Sequence, residues 1–566
     1  SRNRRRRPAD VASRSVIQAT RCSVGTSLGR HGRLSAIGAA AAVALATGLL
    51  GPAAAEAHGG SPGGGPLNLG PANLSETRVT STLARGVTLT KITRGASDPA
   101  LVWTLEILIA PTAGSPDPDA PPSVISDLGS ANATADRLRS KGFSPRVEAV
   151  AQPRAVDVVP GTLGYRVRVG SFPNKAAADL ARAALIAAGE SANSVYTGWD
   201  GDRSARGPWN VNVVTIDPKT FRGGLGATYG PDLFNRETTS ALSAAAGATV
   251  GVNAGYFVLD PASGAPGDPA GIGVYHGQLV SEPIAGRPAL VMRDDARHTE
   301  IERLWWQGTA DLGHQTVQLD GIDRVPGLIR NCGGDPTDLP TAKPLHDITC
   351  TDAAEVVELT PAFGAMTPTG PGREVVIGAD HRVAAVLGTR GTTLGTGQMS
   401  LQATGDRVGE LGSVRVGDRV VVTAKLRDGS GRPVQTAKAE TIVNGGPQLV
   451  RDGRDEITQA RDGFVHPGDP SFAYGFVVKR NPRTFAGVDA QGRTVLVTVD
   501  GRTTSDLGLS IPETADVARS LGLVDAMNLD GGGSTAMAVN GALVTHPSDA
   551  AGERPVGDTI VVTPGH

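Results

Sequence analysis

An α/β architecture in two parts is predicted for this chain: a small βαββαβ unit, then a larger mixed-sheet α/β domain carrying a β-rich insertion. Three observations lead there. Tyr165-Arg166-Val167-Arg168-Val169 alternates with period two, as a half-buried strand does, and is followed by Ala177, Leu180, Ala181, Ala184 and Leu185 at helical spacing. Two distant segments, 239–255 and 513–531, share one plan: an Ala-rich helix, a closing glycine, a short apolar strand and an Asn six residues past that glycine. Between 365 and 441, strand-like runs follow one another with turn signals between them.

The elements of the small unit run in order. A strand is predicted over 101–109, a helix near 131–141, strands over 146–150 and 165–169, a helix over 175–188 ended by Gly189, and a strand at 194–196. The larger part opens with a strand at 211–216. In its second corner, Ser510 and Glu513 form a capping box that fixes the start of the helix.

A chain of 566 residues is too long for one core. Arg4 to Arg7, Arg21, Arg30 and Arg33 precede an apolar stretch at 34–50 and then Ala53-Ala54-Ala55-Glu56-Ala57. That order predicts a cleavable secretory signal at 1–57, hence a secreted or wall-associated protein with no stable membrane anchor. Segment 58–97 is read as linker and N-terminal extension, 98–203 as the small unit, and 204–566 as the large domain with its insertion at about 365–441. Lys plus Arg number 54 against 56 Asp plus Glu, so no bulk charge favours nucleic acid. Cys332 and Cys350 flank a Gly/Asp/Pro/Thr loop, and in an exported protein such a pair is most simply a disulfide.

The densest chemistry lies at Asn528-Leu529-Asp530-Gly531-Gly532-Gly533-Ser534-Thr535. Three consecutive glycines carry a large backbone-entropy cost and persist only where the chain turns tightly or lies against something bound. Asn253 and Asn444 (in Asn444-Gly445-Gly446-Pro447) end two other apolar strands, which predicts a shared crevice at strand ends. Gly531 to Thr535 lacks the GK[ST] ending, no GxSxG elbow surrounds Ser534 and there is no HExxH, so this turn has neither a P-loop, a serine-hydrolase nor a zincin frame. What remains is carboxylates with arginines. Paired carboxylates serve glycosidic cleavage, and guanidinium groups grip phosphate. The spacing demands no cofactor and commits to no metal, although oxygen ligands near Asp530 suit a divalent cation such as calcium.

Two resemblances follow from these motifs. Residues 165–172, with Ala176 and Leu180, resemble the SPOR domain, which implies peptidoglycan as a partner. The region 209–563 resembles the phosphodiester glycosidase family through Asn253-Ala254-Gly255-Tyr256-Phe257, Asn444 to Pro447, Pro482-Arg483-Thr484, Asp500-Gly501-Arg502, Glu513, Asn528 to Ser534, Pro547-Ser548-Asp549 and Glu553-Arg554-Pro555-Val556. His546 stands where that family usually has Asn, and Ala254 replaces a common Gly. The resemblance implies hydrolysis of a sugar 1-phosphodiester at the anomeric carbon of a cell-envelope glycan or exopolysaccharide. Asp500 and Asp530 are then the catalytic carboxylates, with Arg483, Arg502 and Arg554 holding phosphate. Asn253, Phe257, Asn444, Asn528, Gly531, Gly532, Gly533 and Ser534 form or support the substrate site. The alternatives are a non-catalytic carbohydrate-binding protein and a metal-dependent phosphodiesterase.

Overall fold

A computed structural model of the chain describes residues 65–109, 123–201, 204–284, 286–332, 338–344, 348–466 and 468–565. The expected signal at 1–57 lies outside the described residues. Among the described residues, no helix is long and apolar enough to cross a membrane.

The first elements correct the linker expectation for 58–97. Strands β1 (Glu76–Ala84) and β2 (Val87–Arg94) form an antiparallel hairpin. Strand β2 in turn pairs along its whole length with β7 (Trp209–Ile216), from Val87 opposite Ile216 to Arg94 opposite Trp209. Val87, Leu89 and Ile92 are buried by that pairing. Their partner lies more than a hundred residues downstream, so a local reading of a Thr-rich segment beside a Gly/Pro tract did not find them.

The small unit comprises β3 (Trp103–Ile107), α1 (Leu128–Ser140), β4 (Pro145–Ala151), β5 (Thr162–Phe172), α2 (Lys175–Ala187) and β6 (Ala192–Tyr196). Its four strands lie in the order β4-β5-β3-β6, all antiparallel. Asp127 and Asn174 cap the two helices by accepting from the N–H groups of Ser130 and Ala177. The unit is docked on the rest of the chain by a buried ionic network. Glu106 accepts from Arg168, from the Tyr474 hydroxyl at 2.6 Å and from Lys479 at 3.1 Å. Asp200 accepts from both terminal nitrogens of Arg168. Against the cost of burial, Lys479, Arg168, Tyr474 and Arg166 hold the Glu106 carboxyl down at about 2.

The large domain is built on an eight-stranded antiparallel sheet. Its order is β1, β2, β7, Thr494–Val499, Arg483–Asp489, Leu523–Asn528, Gln448–Arg451 and Arg454–Asp455. Phe485, Val497, Val499 and Ala526 pack on one face with the helix Ile511–Ser520 and the small unit. Leu496, Ala486, Met527 and Leu529 pack on the other face, against a five-stranded sheet containing β8 (Gly224–Thr228), Val250–Asn253, Met537–Val539 and Thr559–Thr563. The alternation along each strand therefore serves two cores, which explains the near-continuous apolar runs. Helix α3 (Thr239–Ala245) leads into Val250–Asn253 much as Ile511–Ser520 leads into Leu523–Asn528. Ser510 and Glu513 do make the reciprocal capping box.

The β-rich region is larger than 365–441. It starts with Trp305–Asp311, which pairs with Thr316–Leu319 and Val421–Arg427. A separate five-stranded sheet combines Gly321–Ile322 and Val356–Leu359 with Gly370–Ile377, Val383–Arg390 and Met399–Ala403. The strands before residue 365 are short and broken by turns, so their period is weak. Cys332 and Cys350 form a disulfide.

Candidate functional site

Three adjacent strands deliver the charged residues to one end of the main sheet. Arg483 opens the central strand and lies opposite Val499, so Asp500 leaves the sheet beside it. On the other side Phe485 faces Asn528, and the Leu529 N–H donates to the Thr484 carbonyl at 2.9 Å, so Asp530 leaves at the same end. The glycines then fold back over this edge. The Gly532 N–H donates to the Pro482 carbonyl at 2.9 Å, and the Gly531 N–H to Asp530 Oδ1 at 2.8 Å. Gly532 has a φ of +60°, a conformation that favours glycine. At Gly533 a Cβ would sit 2.3 Å from Arg554 Nη2, so this glycine is what lets the guanidinium lie on the turn.

The three asparagines brace the site. Asn253 Nδ2 donates to the Asp530 carbonyl at 2.7 Å, while its Oδ1 accepts from the Thr484 hydroxyl and the Ala536 N–H. Asn444 exchanges hydrogen bonds with the Tyr256 main chain. Asn528 Nδ2 donates to the Tyr256 hydroxyl and the Gly446 carbonyl. All three are buried. They tie the two sheets and the Gly445-Gly446-Pro447 corner to the glycine turn. Phe257 is also buried, packed with Leu242 and Val556. Buried polar atoms without a protein partner collect here too: Asn528 Oδ1, Thr535 Oγ1 and Ser548 Oγ. Such orphans mark a place that receives water or a polar ligand.

The electrostatics set the arginines apart. Arg554 makes a bidentate pair with Asp549, at 2.7 and 3.1 Å. Arg502 donates to the Asn481 side-chain oxygen and has no carboxylate ion pair among the described residues. Desolvation among its neighbours, with repulsion from Arg554, holds its guanidinium below the usual range. Arg483 differs from the expectation. Its Nε and one terminal nitrogen donate to the carbonyls of Leu509, Phe476 and Lys479, and its guanidinium lies 5.1 Å from the centroid of the Phe476 ring. Burial pushes it down to about 9. It holds the main chain at the site's edge, and repulsion from Arg502 adds to the lowering.

Burial pushes the Asp530 carboxyl up to about 6, against the lowering influence of the Ser534 hydroxyl, Arg554, the Gly531 N–H and Arg330. Asp500 is also raised to about 6 by burial, opposed by His546 and reinforced by Asp506. Both of its oxygens are engaged by His546: the main-chain N–H donates to Oδ1 at 3.1 Å, and Nδ1 lies 3.0 Å from Oδ2. The ligand atoms of Asp500, Asp506 and His546 lie within 4.8 Å of one another, the spacing of a metal cluster. The donor set does not fit a cation, however. The Asp506 carboxylate already accepts from Asn210, Thr503 and Ser505, and the charges around Asp530 are guanidinium groups that repel a cation.

Sequence reasoning missed Arg330. It ends the short strand Ile329–Arg330 beside the disulfide, yet acts electrostatically on Asp530. No local motif marks it. It also missed the aromatic wall of Tyr256, Phe464 and Phe476, whose rings lie 4.8–6.5 Å apart.

Residues 372–563, which hold the glycine turn, Asp500, Asp530, Arg502 and Arg554, match the phosphodiester glycosidase family. Residues 125–196 match the SPOR domain. The chain therefore carries a region of phosphodiester glycosidase type at 372–563 and a SPOR domain at 125–196. A crystal structure of an exported-protein candidate from Burkholderia pseudomallei superposes with a TM-score of 0.78 at 32% identity, over 89% of this chain and 99% of that one. The N-acetylglucosamine-1-phosphodiester alpha-N-acetylglucosaminidases of Mus musculus and Bos taurus are 42% and 33% identical over 109 residues, 19% of this chain. The match spans only about a fifth of those relatives, 21% and 20% of their lengths. Asn253 and Phe257 lie upstream of the family match.

Proposed function

We propose that the large domain hydrolyses a sugar 1-phosphodiester at the anomeric carbon, releasing the free sugar and a phosphomonoester. The observation that carries this reading is the placement of Asp530. It is a buried carboxyl poised near neutrality, on the floor of a glycine turn, with Arg502 and Arg554 beside that turn. Acids and bases of this poise are effective at physiological pH. Arg502 and Arg554 hold the phosphate, and their charge stabilises the departing phosphate oxygen as the bond from carbon to that oxygen breaks. Asp530 faces the anomeric carbon and balances the positive charge that develops there.

Cell-envelope glycans or exopolysaccharides are the substrate class, reached after export, with the SPOR domain contributing contact with peptidoglycan. The reaction so read needs no cofactor, and a calcium requirement is not favoured by the donor set. The test is incubation with a UDP-sugar or a chromogenic sugar phosphodiester. Free sugar is the expected product. Sugar phosphate would point instead to a phosphodiesterase, and no turnover to a carbohydrate-binding protein. Asp530→Asn is expected to lower kcat by about a thousandfold or more while the fold persists. Wild-type turnover in that variant would remove Asp530 from the chemistry.

A further inference from the structure

We propose that His546 is the proton-transfer residue of this site and that Asp500 acts on the reaction through it. The inference rests on the glycosidase reading above and adds to it a group that neither the family's usual Asn nor the paired-carboxylate expectation supplies.

Asp500 is 2% exposed, and His546 covers it with both its main-chain N–H and its ring. The His546 side chain is by contrast 77% exposed. With Nδ1–H donated to Asp500, Nε2 carries the free lone pair and points away from that carboxylate, the tautomer and orientation that a buried acid imposes on an imidazole acting as a base. Two carboxylates lie beside the imidazole. Asp500 comes from the end of the strand Thr494–Val499, and Asp506 from the loop that follows, held there by Asn210, Thr503 and Ser505. His546 also opens the loop whose Asp549 fixes Arg554 over Gly533, so the imidazole and a phosphate-binding guanidinium are carried by one short segment. On the far side of Asp500, Arg502 reaches Gly532.

In the step so assigned, a water oxygen bonds to the anomeric carbon and the bond from that carbon to the phosphate oxygen breaks, its electron pair leaving with the phosphate. The proton lost by the water goes to Nε2 and from there to solvent. An Asn at 546 could still hold Asp500 in place but could not carry that proton.

The test compares wild type, His546→Asn, His546→Ala and Asp500→Asn on a substrate that wild type cleaves. His546→Asn is expected to lower kcat by about a hundredfold with KM changed less than about twofold, and to remove one limb of the pH–rate profile. Added imidazole should restore turnover to His546→Ala in a concentration-dependent way and should not restore Asp500→Asn. If wild type releases sugar and His546→Asn matches it in kcat and pH profile, the assignment of His546 is overturned while the glycosidase reading stands. If wild type releases no sugar, both fall.

Discussion

At the scale of single residues, the site depends on atoms that are absent as much as on those present. Gly533 has no Cβ because Arg554 occupies that space. Gly533→Ala should therefore push the guanidinium off the turn, raising KM for a phosphodiester by about tenfold, the equivalent of about 1.4 kcal/mol. Thermal unfolding should change little, because Arg554 is only half-buried and can swing outward. Initial-rate kinetics with a parallel melting curve separate the two effects. The NLDGGGS string and the DGR and ER-P-V motifs were legible because each packs its chemistry into consecutive residues. The roles of Asn253, Asn444 and Asn528 as braces were less so, since a side-chain amide at a strand end serves a sugar or a backbone equally well. Arg483 shows the same limit. The motif around it is contiguous, but the carbonyls of Phe476, Lys479 and Leu509 that engage it come from other elements.

At the scale of elements, the joint between the SPOR domain and the large domain adds a buried ionic network to shared apolar packing. Glu106 serves Arg168, Tyr474 and Lys479 at once, and Lys479 also lends its carbonyl to Arg483. Removing one member of a buried ionic group leaves the others uncompensated, at a cost of about 3–5 kcal/mol. Glu106→Ala is therefore expected to lower the urea midpoint and to expose the 474–481 segment to protease, with weaker phosphodiester turnover as Arg483 loosens. A variant as stable as wild type would show that the two domains are held by apolar contact instead. The SPOR helix at 175–187 could be placed from its period, although Leu180 of that period is exposed and Ala178 is buried, and the strand Trp103–Ile107 is buried throughout, so its apolar run rather than alternation marked it. The early strands of the β-rich region, two to seven residues long, gave too few repeats for any period to stand out.

At the scale of the whole molecule, buried acids set how stability follows pH. Burial raises Asp500, Asp530 and Asp558 to about 6 and Glu358 to about 7. Groups raised in the folded state contribute stability that is complete below their unfolded values near 4 and is lost as pH climbs through 6 to 7. Glu106 and Glu190, held down at about 2, work in the opposite direction, and their contribution disappears only as pH falls below about 4. The melting temperature is thus expected to peak near pH 4–5 and to decline toward pH 8, as a calorimetric pH series would show. Asp530→Asn should flatten part of that decline. A melting temperature rising steadily to pH 8 would contradict these shifts.

The pairing of β2 with β7 has a practical consequence for how this protein can be divided. The large domain's central sheet draws on chain from residue 76 as well as from residue 528, and the SPOR domain is an excursion between two of its neighbouring strands. A truncated polypeptide beginning at residue 204 would leave the flank of β7 bare, with Val211, Val213 and Trp209 stripped of cover, and such a naked border invites aggregation. The segment that looks most dispensable on paper is the one that seals the large domain.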